Sequence, residues 1–240
     1  MPVGRLVPWM DDTFFRNLPS SDDDRRLRSE VLRRVRPEHE LMDLGAGSGC
    51  EELMNFRGCA RRVCGVDPDP RVTDNPFLDE AKVATGDHIP YLDESFDVVV
   101  ASNVLEHLED PASVFREVAR VLKPGGVFLA KTPNWLHYMP PLAMLTPIWL
   151  HYKLNPRPGG DPADIFPTRY RVNTPRAVRK RAAEAGLVAR DIQLLDARPG
   201  YLAFSSLTYF LGAAYHWLVT RIPGLHRFRG YMIVALEKPA

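Results

Sequence analysis

Three stretches of this chain carry residue types at spacings that could do chemistry. Leu41-Met42-Asp43-Leu44-Gly45-Ala46-Gly47-Ser48-Gly49 is an apolar run that ends in an acid and turns into three glycines, each separated by one small residue. A buried parallel strand running into a tight loop has this form. Glycines there permit positive φ and let a ligand approach without meeting a Cβ. The Asp43 carboxylate, at the strand tip, would face a ligand's ammonium or hydroxyl group. Asp67 closes a second apolar run, eighteen residues beyond Gly49. An acid in that place can accept hydrogen bonds from both ribose hydroxyls of an adenosine, or it can cap the turn before Pro68. Glu106-His107 is the best-placed titratable pair. A histidine, whose free side chain titrates near neutrality, could take a proton from a hydroxyl or amine. Otherwise the pair only shapes the turn into the next helix.

These residues need elements to hold them. A helix is expected from Ser21, with Asp22, Asp23 and Asp24 in its first turn and Leu27, Val31, Leu32 and Val35 as its apolar stripe. Strands follow at about 40–44, at Arg62–Asp67, near Lys82–Thr85 and at Phe96–Ala101, with a helix at about 50–57 after the glycine loop. Asp110-Pro111 opens a helix as N-cap and first-turn proline, Lys123-Pro124-Gly125-Gly126 stops it, and Val127–Lys131 is a fifth strand. Thr174-Pro175 starts another helix ending at Gly186. Leu187–Leu195 and Tyr231–Glu237 complete seven strands. The alternation means an α/β fold with a doubly wound, mostly parallel sheet, read as a single domain over 1–240. Residues 1–38 form an arm and helix, and insertions occupy 132–172 and 196–229.

A dinucleotide fingerprint needs G-x-G-x-x-G, but here its third position is Cys50 and a glycine comes one residue early. The loop Asp43-x-Gly45-x-Gly47-x-Gly49 instead resembles motif I of class I S-adenosylmethionine-dependent methyltransferases, of the type 11 or ubiquinone-methyltransferase-like kind. Asp67, Gly86-Asp87, Phe96–Val99 through Glu106–Pro111, and Leu122–Gly126 follow in the same order. The resemblance covers about residues 21–135, plus the helix and strand at 174–195. It implies S-adenosylmethionine as cofactor, a Rossmann-like sheet of order 3-2-1-4-5-7-6, and an antiparallel seventh strand. Carried over by residue, it implies that Gly45, Ala46, Gly47 and Gly49 line the methionyl part, with Asp43 near its amino group. Asp67 takes the ribose hydroxyls and Pro68 lies against the adenine. Asp87, unless it is an ordinary turn aspartate, accepts from the adenine amino group, and His88 adds a backbone contact. Asn103 and Val104 sit beside the sulfonium and ribose. Ubiquinone-type relatives carry a glutamate thought to help bind a divalent metal where this chain has Asn103, so no metal is expected.

Thr132–Tyr152 has no Asp, Glu, Lys or Arg but carries Trp135, Tyr138, Trp149 and Tyr152, which suits a lid over an apolar methyl acceptor. Pro199–Thr220 is free of the same charges and reads as a helix of about twenty residues. It is open to three uses: a lid, a homodimer contact, or peripheral contact with a membrane beside Arg221, Arg227 and Arg229. A membrane span conflicts with the need to return at once for the seventh strand. Arg169, Arg171, Arg176, Arg179, Lys180 and Arg181 are either a solvated helix face or a site for an anionic group. Asn155–Pro167 reads as a cover loop. The balance of 31 Lys and Arg against 30 Asp and Glu gives no call for nucleic acid as a partner. Cys50, Cys59 and Cys64 lack metal-ligand spacing and suit reduced thiols in a cytoplasmic protein, as does the absence of a signal peptide. The expected activity is transfer of a methyl group, most readily to oxygen, on an aromatic, lipid-linked or glycan-type small molecule. Two rivals remain: a non-catalytic cofactor-binding scaffold, and a peripheral membrane-associated methyltransferase that uses the Pro199–Thr220 helix as its anchor and acts on a lipid acceptor.

Overall fold

The computed structural model describes residues 6–18, 22–145 and 167–240. Two compact units make up the chain. One comprises Met1–Asp23, Pro133–Thr168 and Leu194–Tyr231, the other Asp24–Thr132, Arg169–Gln193 and Met232–Ala240.

The second unit carries the sheet. Its strands are β1 (Glu40–Leu44), β2 (Arg62–Asp67), β3 (Glu80–Val83), β4 (Phe96–Ser102), β5 (Leu122–Pro133), β6 (Val188–Leu195) and β7 (Tyr231–Glu237). They lie in the order β3-β2-β1-β4-β5-β7-β6. β1 to β5 pair in parallel, with Asp43 opposite Gly65 on β2 and Val100 on β4. Gly125 N–H donates to Lys238 O (2.8 Å) and Lys238 N–H to Gly126 O (2.9 Å), whereas Asn134 N–H donates to Gly230 O (2.9 Å). The start of β5 thus meets the end of β7 and the reverse, which makes that pair antiparallel.

The central strands are apolar on both faces because both are covered: Val98, Val99, Val100, Phe128 and Leu129 are all buried. α2 (Asp22–Leu32), α3 (Pro111–Val121) and α5 (Pro175–Glu184) are the helices of this unit's chain segments, α2 beginning just before its boundary. α3 begins where the Asp110 carboxylate accepts from Ala112 N–H (3.0 Å) and Ser113 N–H (3.3 Å), and it buries Val114, Phe115, Val118 and Val121. Phe115 meets Phe128 edge to face at 6.0 Å. Thr174 caps α5 through Ala177 N–H (3.2 Å), and Gly186 follows that helix at φ 76°.

The first unit contains α1 (Val7–Phe14), α4 (Met139–Leu145) and α6 (Ser206–Arg221). Val7, Met10 and Phe15 pack with Tyr209 and Ala213 of α6. Asp11 accepts from Tyr209 Oη and pairs with Arg198, whose guanidinium also reaches the Phe15 carbonyl at 2.9 Å.

Several expectations need correction. The helix placed at 50–57 is a single 3-10 turn, Glu52–Met54, because Gly58 at φ 81° ends the segment and too few residues separate it from the glycine loop. β3 lies two residues earlier than expected. α2 ends at Leu32, which is exposed, so its buried stripe is Leu27 and Val31 without Leu32 or Val35. The helix placed at 199–220 is a 3-10 turn, Gly200–Leu202, followed by α6. Ser21, Trp149, Tyr152 and all of Asn155–Pro167 but its last residue lie outside the described residues.

Phe128 has no exposed surface. Replacing it with alanine should cost about 3–5 kcal/mol, read as a lower denaturant midpoint at unchanged slope.

Candidate functional site

The tips of β1, β2 and β4 come together at one edge of the sheet, where open α/β folds bind ligands. The glycine loop leaves β1 with Gly45, Gly47 and Gly49 at φ 80°, 53° and 79°. Gly45 N–H and Ala46 N–H donate to Val66 O (2.7 and 3.3 Å), and Gly47 N–H donates to Asp67 Oδ2 (2.9 Å). The loop is therefore folded back onto the end of β2. A Cβ on Gly45 would lie 2.4 Å from Val104 Cγ2, and one on Gly49 would lie 2.4 Å from Asn75 Oδ1. At Gly47 a Cβ would meet nothing within 4 Å, so the backbone there is open to an approaching molecule.

Asn75 is a residue that motif reading missed. Its Nδ2 donates to Ala46 O (3.0 Å) and Gly47 O (3.2 Å), and its Oδ1 accepts from Phe77 N–H (2.9 Å). One buried amide thus holds the loop from behind. The only sequence signal is the turn-forming Asn75-Pro76 pair, which has no fixed place in a glycine motif.

Asp43 and Asp67 are both buried. Among the described residues no donor is hydrogen-bonded to the Asp43 carboxyl. Burial, with a smaller contribution from the negative charge of Asp67, pushes its pKa up to about 7. Asp67 uses Oδ2 for Gly47 N–H and Oδ1 for Asp69 N–H (2.8 Å), leaving further lone pairs on both oxygens. Pro68 is exposed beside it, and so are Asp87 and His88 on the loop after β3. That loop is braced by α3: Glu117 Oε2 accepts from Ile89 N–H (2.9 Å), and Arg120 donates to Ile89 O and Tyr91 O, both at 2.8 Å.

Past β4, Asn103 is exposed and adopts φ 56°, with its N–H on Lys131 O (2.9 Å). Val104 leans over Gly45. Glu106 and His107 share the 3-10 turn Leu105–His107 but differ in setting. The Glu106 carboxylate is buried and accepts from Thr132 Oγ1 (2.9 Å), which in turn accepts from Asn173 Nδ2 (2.5 Å). Burial raises its pKa, and the charges of His107 and Lys131 oppose that rise. Its main-chain oxygen accepts from Arg169 N–H (2.6 Å) and Tyr170 N–H (3.0 Å). His107 is half-buried, its N–H on Val104 O at 3.0 Å. The edge thus gathers Asp43, the glycine loop, Asp67 and Val104. Asp87 and His88 stand on their own loop, and Glu106 points inward.

Residues 42–130 match the family described as methyltransferase domain. This stretch is similar to methyltransferase domains. Its match spans β1 to β5 and so includes every residue of the edge. A protein of Mycolicibacterium smegmatis named as a probable S-adenosylmethionine-dependent methyltransferase is 37% identical over 108 residues, 42% of this chain and 40% of that protein. The chain spans about two fifths of the length of the curated relatives it matches. Among solved structures, geranyl diphosphate C-methyltransferase from Streptomyces coelicolor shares the fold at a TM-score of 0.58 and 18% identity, over 89% of this chain and 78% of that one. The [4+2]-cyclase SpnF shares it at 0.54 and 19%, over 90% and 81%. The domain match supports the class I reading and S-adenosylmethionine as its cofactor. The site fits that molecule: a buried carboxyl without a donor suits its ammonium, and an open glycine backbone suits its close approach.

Asn75→Ala leaves two loop carbonyls without their donor. It should weaken S-adenosylhomocysteine binding at least tenfold, a loss of ~1.4 kcal/mol or more by calorimetry, while the domain still folds.

Proposed function

We propose that the chain is an S-adenosylmethionine-dependent methyltransferase that acts on an oxygen of an apolar, aromatic, lipid-linked or glycan-type small molecule. The observation that carries the reading is the pair of buried acids, Asp43 and Asp67, on either side of a glycine loop whose Gly47 N–H is held by Asp67 Oδ2. Asp43 receives the cofactor's ammonium, and Gly45, Ala46, Gly47 and Gly49 border its methionyl part. Asp67 accepts from the ribose hydroxyls through its remaining lone pairs. Pro68 faces the adenine, Asp87 its amino group and His88 its ring edge through the main chain, with Asn103 and Val104 beside the sulfonium. When bound, S-adenosylmethionine would supply an electrophilic methyl group for transfer to the acceptor.

His107 is the candidate general base, half-buried on the turn that follows β4. Glu106 anchors that turn through Thr132 and acts as a positioning residue. The long stretches without charged side chains, 134–145 and 199–220, support an acceptor that is largely apolar.

Calorimetry with S-adenosylhomocysteine tests the cofactor reading. Wild-type protein should bind, and Asp67→Ala should weaken binding by about tenfold or more, because hydrogen bonds to a charged acceptor are lost. Wild-type protein that ignores the ligand sinks the proposal.

A pH series tests Asp43. With its pKa raised from 3.8 to about 7, the folded, ligand-free protein holds a proton that the unfolded chain has lost. Stability from this group therefore falls as pH rises from about 4 to about 7, then levels. A ligand ammonium favours the ionised form, so affinity should rise with pH up to about 7, by at most about tenfold per pH unit, and be flat above it. In Asp43→Asn that dependence should vanish and binding be weaker throughout.

For the base, methyl transfer by His107→Ala should fall by about a hundredfold or more with cofactor affinity unchanged. Undiminished transfer would reduce His107 to a positioning residue.

A further inference from the structure

We infer that α6 docks the chain on the surface of an anionic lipid bilayer. The helix is laid out inversely to an ordinary packed helix. Its buried side presents Tyr209, Gly212, Ala213 and Val219, mostly small residues, and a Cβ added to Gly212 would lie 2.4 Å from Pro199 Cβ. Its large apolar side chains face outward: Leu207 is 68% exposed, Phe210 52%, Leu211 58%, Trp217 56% and Leu218 41%. At about 100° per residue these five fall within roughly 120° of the circumference, a continuous apolar face. Burying that face against protein is already the task of the other side, which packs on α1 through Tyr209 and Ala213. A face of five large apolar side chains left open on a helix that is otherwise packed calls for an occupant.

Charge selects the occupant. From Ser206 to Gly230 the chain holds no aspartate or glutamate. Arg221 ends α6 on the same side as the apolar residues, and Arg227 follows on the turn Pro223–Phe228; both are exposed and neither is ion-paired among the described residues. Arg229, by contrast, is paired with Asp196 at 3.1 Å. A second copy meeting this face through the same stretch would bring the same arginines and, from Ser206 to Gly230, no acid to meet them. Lipid phosphates supply the anion, and the acyl boundary accepts tryptophan and phenylalanine. The helix lies on the bilayer and does not cross it: sixteen residues make about 24 Å against a hydrocarbon core of about 30 Å, and no described helix is long and apolar enough to span. The inference stands apart from the methyl-transfer reading, since either can fail alone.

Sedimentation of the full chain with phosphatidylglycerol-containing vesicles, followed by tryptophan emission, tests it. The chain should co-sediment with blue-shifted emission, bind vesicles of phosphatidylcholine alone less, and be released in part by added salt. The double variant Phe210→Ser, Trp217→Ser should lower partitioning about tenfold or more, and Arg221→Glu should lower it on anionic vesicles only. All three positions are exposed, so unchanged circular dichroism and melting are expected, and calorimetry with S-adenosylhomocysteine should read the same in the variants as in wild type. Wild-type chain that stays in the supernatant with anionic vesicles overturns the inference. So does undiminished binding by the double variant, or a concentration-dependent dimer that this variant dissolves without any vesicle binding.

Discussion

Two carboxylates at the ends of neighbouring strands, both out of solvent, set the terms for the sheet edge. β1 and β2 run parallel in a register that places Asp43 beside Gly65, so Asp67 follows within reach of the loop. Asp67 spends part of its hydrogen-bonding capacity on Gly47 and Asp69, which fixes where the loop lies. Asp43 has no such donor and is left with burial and a like charge, both of which oppose its ionisation. A protein that carries an acid in that state gains by meeting a cation there. The other features of the edge serve this arrangement: three glycines at positive φ shape the loop, Asn75 holds its carbonyls, and Val104 closes over Gly45.

Much of the sheet is legible in the sequence because its signals are local. Continuous apolar runs ending in polar residues marked β1, β2 and β4. Asp110-Pro111 and Thr174-Pro175 announced helix starts whose caps are present, with the Asp110 and Thr174 side chains accepting main-chain N–H groups. The glycine loop and Asp67 were legible for a related reason: positive φ and a strand-end acid are requirements on particular positions, and few residue types meet them.

What escaped the sequence depends on distance along the chain or on competition between signals. Asn75 reaches back 29 residues to Ala46, and nothing in Asn-Pro says which carbonyl it will meet. Arg120 braces the Ile89 carbonyl from 31 residues away. The helix expected after the glycine loop failed for a different cause. Its composition allowed a helix, but the loop and Gly58 left one turn's length between them, too short to repay helix nucleation. Glu106 shows the same limit at the site: beside His107 in sequence it looked like half of a catalytic pair, yet the turn sends its carboxylate inward to Thr132. Adjacent residues on a 3-10 turn point about a third of a turn apart, so neighbours in sequence need not share a surface.

α6 illustrates why composition underdetermines use. A charge-free stretch reads alike whether it lines a core, closes a pocket or meets lipid, because hydropathy does not say which side faces out. The positions of the small residues decide it. Gly212 and Ala213 let α6 approach its own unit closely, and they leave Tyr209 as the large side chain on that side. The bulk of the helix's apolar surface is then directed away from the unit that anchors it. Selection for folding alone would favour the reverse order, with large residues inward and polar ones outward. Exposed leucine, phenylalanine and tryptophan at that spacing carry a cost in solubility, which the proposed docking on a lipid surface would offset.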